Sequence, residues 1–135
     1  MNNLNFVFPE IFISLGFMFL LILGVYKKNS TNLIYNLSIV FLVILFVLVI
    51  NLFSLSEISL FNQSYSIDRL SIIMKVLTIG SGIFVLISST NYIKNLKIFK
   101  IEYPILILTS ILGMMVMISS NDLIVFYLGL ELQSL

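Results

Sequence analysis

An all-α membrane protein of about five transmembrane helices, with a short hairpin-like segment on its outer face, is the fold class this sequence predicts. Of the 135 residues 60% are hydrophobic and only 10% charged, where a soluble domain carries about 25% charged residues. Mean hydropathy is +1.17. The apolar residues fall in runs long enough to cross a lipid core, parted by short polar segments. Five of the seven basic residues, Lys27, Lys28, Lys94, Lys97 and Lys100, sit in two of those segments, which an up-and-down topology puts on one face. The chain 1–135 therefore reads as a single transmembrane helical bundle.

The first span is expected over about 9–26. Pro9-Glu10 suits a helix start, since proline is tolerated in the first turn, and Glu10 then sits near an interface at the positive end of the helix dipole. Gly16 lies two turns from Gly24, on a face suited to close helix approach. The second span covers about 33–55, with an unbroken apolar centre and no visible chemistry. The run Glu57–Ser66 is polar enough to leave the membrane. Ile58, Leu60, Tyr65 and Ile67 alternate with polar residues around Asn62-Gln63, which predicts a short hairpin against the outer helix ends.

Asp68 and Arg69 open the third span, about 69–92. Lys75 lies ~9 Å along it from Arg69. It either snorkels back to the interface or points into the bundle as a cation facing an acid of another helix. Gly80-Ser81-Gly82 offers a small-residue face and lacks the pattern of a phosphate-binding loop. The fourth span, about 103–118, has Pro104 in its first turn. Thr109 and Gly113 form a small pair at i, i+4 within it, and Met114, Met115 and Met117 read as adaptable packing residues.

The fifth span, about 122–135, follows Ser119-Ser120-Asn121-Asp122, where Asn121 or Asp122 can cap a first turn. Nine residues beyond Asp122 comes Glu131, ~13 Å along the helix and so near the midplane of a core ~30 Å thick. A lone carboxylate there costs roughly 2.5–3.5 kcal/mol or more, so such a group usually faces a protein interior, a partner or water. Burial disfavours its charged form and a nearby cation favours it, so its protonation responds to its neighbours. A proton-carrying acid fits this position, and so does a hydrogen-bonded structural acid. The helix supplies only ~20 Å of the length a span needs.

Several function classes are excluded by composition. No cysteine or histidine is present, which removes disulfides, thiolate chemistry, Cys/His zinc sites, iron–sulfur clusters and haem with such ligands. A net charge of +1 argues against a nucleic-acid partner. Met1 to Phe8 shows no cleavable-signal pattern.

The run Glu102–Leu135, above all LGMM and SSNDLIVFYLGLELQSL, resembles subunit 2 of mitochondrial NADH:ubiquinone oxidoreductase, complex I. Pro9-Glu10-Ile11-Phe12 is similar to that family's opening, and Asp68, Ser71 and Met74-Lys75 to a segment before its third helix. The resemblance covers essentially the whole chain. It implies a membrane-arm core subunit of the antiporter-like kind, coupling NADH:ubiquinone electron transfer to proton pumping, with no redox chemistry and no cofactor in this chain. It also implies that Glu131 is the helix-five glutamate of the proton path, acting with lysines on later helices.

Family members carry several more spans than this chain supplies. The expectation is an N-terminal part of a subunit encoded in pieces, with a second chain bringing the later helices and lysines; the alternative is a truncated piece. Expected partners are other membrane-arm subunits, that second chain and membrane lipids. The expected location is the mitochondrial inner membrane, with the N-terminus on the intermembrane-space side and the lysine loops in the matrix. The competing function is a structural scaffold or assembly subunit without a proton path; an independent small transporter would need self-association to bury Glu131.

Overall fold

The computed structural model describes residues 4–26, 31–52, 58–60, 65–95 and 102–134. In chain order these form α1 (Leu4–Tyr26), α2 (Thr31–Asn51), β1 (Ile58–Leu60), β2 (Tyr65–Ile67), α3 (Arg69–Asn95), α4 (Glu102–Ser119) and α5 (Leu123–Ser134). Helices α1 to α4 are long and apolar enough to cross a membrane, and α5 is a shorter apolar helix. In an apolar solvent a helix satisfies its own backbone polar groups, which is why uninterrupted apolar sequence takes this form. The chain is a multi-pass helical membrane protein.

The first span differs from expectation. The helix starts at Leu4 rather than Pro9, so Pro9 is inside it. The mostly apolar run Leu4 to Phe8 extends the helix outward, and Pro9 removes only the bond to the carbonyl of Asn5. Glu10 consequently lies well within the helix and is buried, not poised at an interface. Helix α2 ends at Asn51, short of the expected 55; residues 53–57 lie outside the described residues. Most of the lysine loops that set the expected orientation lie outside them too.

The hairpin is present. Strands β1 and β2 pair antiparallel, Ile58 with Ile67, Ser59 with Ser66 and Leu60 with Tyr65. The expected Asn62-Gln63 turn falls outside the described residues. Strand β2 lies against both α3 and α4. The end where α1, α3 and α5 begin is called the hairpin end below.

Helix α1 packs on α2 and α4, and α3 packs on the same two helices, while the backbones of α1 and α3 make little close approach. They therefore stand diagonally across one interior. That interior is filled by Ile13 and Leu20 of α1, Leu42, Leu45 and Val49 of α2, Ile79 and Leu86 of α3, and Leu108 and Met115 of α4, all 1% exposed or less. On α1 and α2 the approach is set by Gly16, where a Cβ would fall 1.9 Å from the Phe41 ring. That ring is stacked on Phe12 with centroids 4.5 Å apart. Far from the hairpin end, Tyr35 and Tyr103 stack at 6.2 Å, joining the starts of α2 and α4.

Helix α5 returns along α4. A Cβ on Gly113 would lie 2.7 Å from the Gln133 nitrogen and 2.8 Å from the Gly129 oxygen; one on Gly129 would lie 3.0 Å from the Gly113 oxygen. The two backbones touch because neither residue has a side chain, the packing that small residues provide in lipid. Gly113 serves this contact as the small-residue spacing suggested. Its counterpart Gly129 was not singled out by sequence.

Candidate functional site

Two ionisable positions lie within the apolar helices. The first is built where α3 begins. The Asp68 carbonyl accepts the first helical bond from the Ile72 amide at 3.1 Å. The Asp68 amide donates to the Ser71 hydroxyl at 2.9 Å, and that hydroxyl donates back to the Asp68 carbonyl at 2.7 Å. This closure absorbs polar groups that the first turn leaves open. One turn further, Lys75 turns inward. Its side chain is 0% exposed, and its Nζ donates to Glu10 Oε1 at 2.6 Å; the Glu10 side chain is 7% exposed.

The pair joins the two diagonal helices. Backbones that do not meet are bridged by two of the longer polar side chains, so the contact lies near the bundle axis. Its length is that of a charge-assisted hydrogen bond. Of the two orientations open for Lys75, the structure shows the inward one, facing an acid of another helix. The reason is geometric: Ile72, Lys75, Ile79, Gly82 and Leu86 recur at three- and four-residue intervals on the buried face of α3. The partner, Glu10, was expected elsewhere. The signal that leads to it is the series Glu10, Ile13, Phe17, Leu20 on α1, which has the same spacing.

The second position is Glu131 on α5. Asp122 precedes the helix, and its backbone carbonyl accepts the Phe126 amide at 3.0 Å, the first bond of α5. Glu131 is exposed on the stripe of Ile124 and Leu128, opposite Gly129 and the contact with α4. Its Oε1 accepts a hydrogen bond from the Tyr127 hydroxyl one turn earlier. No ion pair to Glu131 exists among the described residues, and Lys75 pairs with Glu10 instead. The acid thus faces outward from this chain, toward whatever surrounds α5, and not into the four-helix interior.

A groove of about 640 Å³ runs beside these elements, lined in part by Met74, Thr78 and Ser81 of α3, Met114 and Met117 of α4, and Gln133 of α5. The Thr78 hydroxyl donates to the Lys75 carbonyl at 2.8 Å, so this wall belongs to the helix turn that carries the lysine.

These features define a polytopic membrane protein with an ion pair across its interior and an exposed carboxylate on its last described helix. No known protein-family profile matches the chain. Over all 135 residues it is 64% identical to NADH-quinone oxidoreductase subunit N of Pelagibacter ubique, covering 100% of the chain and 29% of that protein. It is 42% identical over 130 residues to the subunit of the same name from Paramagnetospirillum magneticum, covering 96% and 26%. The counterpart from Bartonella bacilliformis is 39% identical over 133 residues, covering 98% and 27%. The homologues are larger proteins, and the chain spans less than a third of the length of these curated relatives.

Proposed function

We propose that the chain is the N-terminal part of a proton-translocating membrane subunit of an NADH-quinone oxidoreductase, with Glu131 as a protonatable group of the proton path. The observation that carries this reading is the 64% identity to subunit N along the whole chain. The geometry fits it: a carboxylate on an apolar helix, ~12 Å from the helix start, exposed on the face that further spans of such a subunit would cover. A cation on those spans would compensate Glu131 in the ionised state, and a change in that cation's company would release or load its proton.

The proposal extends to partners: other membrane subunits of the same enzyme, lipids, and further spans of the kind that the longer relatives have room for. In this reading the hairpin end faces the side from which protons are released and the lysine loops face the opposite side. The relatives reported come from bacteria, so the membrane is proposed as an energy-coupling one, without restriction to mitochondria.

Membership has a direct test. When the intact NADH-quinone oxidoreductase is purified from membranes containing this chain, its peptides are expected in that assembly at unit ratio to the other membrane subunits. Intact-mass analysis of the same preparation then shows whether spans beyond α5 lie on the same polypeptide or on another. Migration of the chain only as a small homo-oligomer would contradict membership altogether.

A further inference from the structure

We propose that Glu10 and Lys75 form a second protonatable site of this chain, distinct from Glu131 and lying in the hairpin-end half of the four-helix interior. The proposal rests on the reading of the chain as part of a proton-translocating protein. The pair spans the diagonal between α1 and α3 at 2.6 Å, where the backbones make little contact. Each partner lies six residues beyond the start of its helix, ~9 Å inward, and Glu131 lies eight beyond the start of α5, ~12 Å inward. All three helices start at the hairpin end, so the three ionisable side chains lie toward the same end of the bundle.

The surroundings of the pair are one-sided. Beside it, α2 and α4 contribute buried Leu45, Val49, Leu112 and Met115, and among the described residues this half of the interior holds no other ionisable side chain. Away from the hairpin end the interior continues as Leu20, Leu42, Ile79, Leu86 and Leu108, all 1% exposed or less. Toward the hairpin end come Ser71 and Ser119, both buried. The Ser119 hydroxyl meets no hydrogen-bond partner among the described residues, and a hydroxyl so placed takes one from water or a neighbouring chain. The pair is thus closed off by apolar side chains on one side and approached through hydroxyls on the other.

Stability alone does not account for charges at this place. A buried ion pair is seldom better than well-packed apolar residues of the same volume. What the charges provide is a centre whose net charge can change. A proton arriving through the hydroxyl-lined end and bonding to the Glu10 carboxylate makes a neutral acid and raises the net charge of the pair by one. Return of the proton by the same route restores the starting charge. In a low-dielectric interior that change is felt by other ionisable groups nearby, which couples the pair to Glu131 without contact.

The test uses the assembled enzyme in sealed vesicles, with two double variants, Glu10→Leu with Lys75→Leu, and the exchanged pair Glu10→Lys with Lys75→Glu. Both are expected to assemble, because neither leaves a lone buried charge. The Leu–Leu variant is expected to move severalfold fewer protons per electron while still oxidising NADH, and the exchanged pair, which keeps a carboxylate beside an ammonium, to move more than the Leu–Leu variant. Wild-type proton transfer in the Leu–Leu variant overturns the proposal and makes the pair a structural tie. Failure of both to assemble also overturns it, since the charges would then be required for folding. A Glu131→Gln control separates the readings: normal pumping there with a deficit in the Leu–Leu variant removes the role of Glu131 and keeps this site, and the reverse result removes this site alone.

Discussion

Replacing Lys75 by methionine, with Glu10 left in place, is expected to deplete the protein from its membrane assembly. Methionine fills a similar volume and keeps the unbranched shape, so packing is largely preserved. What is lost is the Lys75 ammonium, 2.6 Å from a Glu10 side chain that is 7% exposed at the bundle axis. Breaking one side of a buried ion pair costs about 3–5 kcal/mol, against a total stability of roughly 5–15 kcal/mol for a typical domain. Adding Glu10→Leu to the same chain should restore most of the lost assembly, because the buried carboxylate is then gone. Arg69→Met, at the exposed first residue of α3, is the comparison substitution and should change assembly little, as is usual for surface positions. Native-gel abundance of the assembled complex reads all three. Undiminished assembly of Lys75→Met alone would mean that Glu10 finds another partner or water at no cost, and that the pair does not hold α1 to α3.

The second large effect is expected at the α4–α5 contact. Gly113→Ala places a methyl group 2.7 Å from a backbone nitrogen and 2.8 Å from a backbone oxygen of α5. Neither atom can rotate away as a side chain would, so the whole helix must shift. Overpacking of this kind typically costs about 1–3 kcal/mol, and α5 has little else to hold it, since α4 is its main contact in the structure. Amide exchange over Leu123–Ser134 should rise severalfold, while exchange in the α2 and α3 core stays unchanged. Uniform acceleration in all helices would contradict this local account. Because α5 carries Glu131, proton transfer should fall in the same variant.

The spans were legible because a membrane leaves the backbone few options: some twenty apolar residues in a row become a helix. The hairpin was legible from alternation, with Ile58, Leu60, Tyr65 and Ile67 in the register that the strands adopt. The inner face of each span was not legible. On α3 the series Ile72, Lys75, Ile79, Leu86 is buried, while Leu70, Ile73, Leu77, Phe84, Ile87 repeats with the same spacing and is exposed. Apart from Lys75 both stripes are apolar, so apolar periodicity does not distinguish the face toward protein from the face toward lipid.

The same ambiguity affected the charged residues. Glu10 read as an interfacial acid because Pro9 marked a plausible helix start; the actual start lies further out, which carries the acid inward to the lysine. Two short motifs, Pro9-Glu10 and Met74-Lys75, thus meet in space through residues 65 apart in sequence. Helix rise put Glu131 eight residues into α5, but the direction it faces depended on Gly129. Only the backbone contact with Gly113 shows that α5 turns its glycine to α4 and its acid outward.

The measurement that bears most directly on the account is proton transfer per electron in sealed vesicles holding the assembled enzyme with Glu131→Gln. Glutamine keeps the shape and still accepts the Tyr127 hydroxyl, but it cannot exchange a proton with a neighbour. The account predicts normal assembly, continued NADH oxidation and fewer protons moved per electron. Assembly and proton transfer both equal to wild type would contradict it, leaving Glu131 as a structural acid on a scaffold helix.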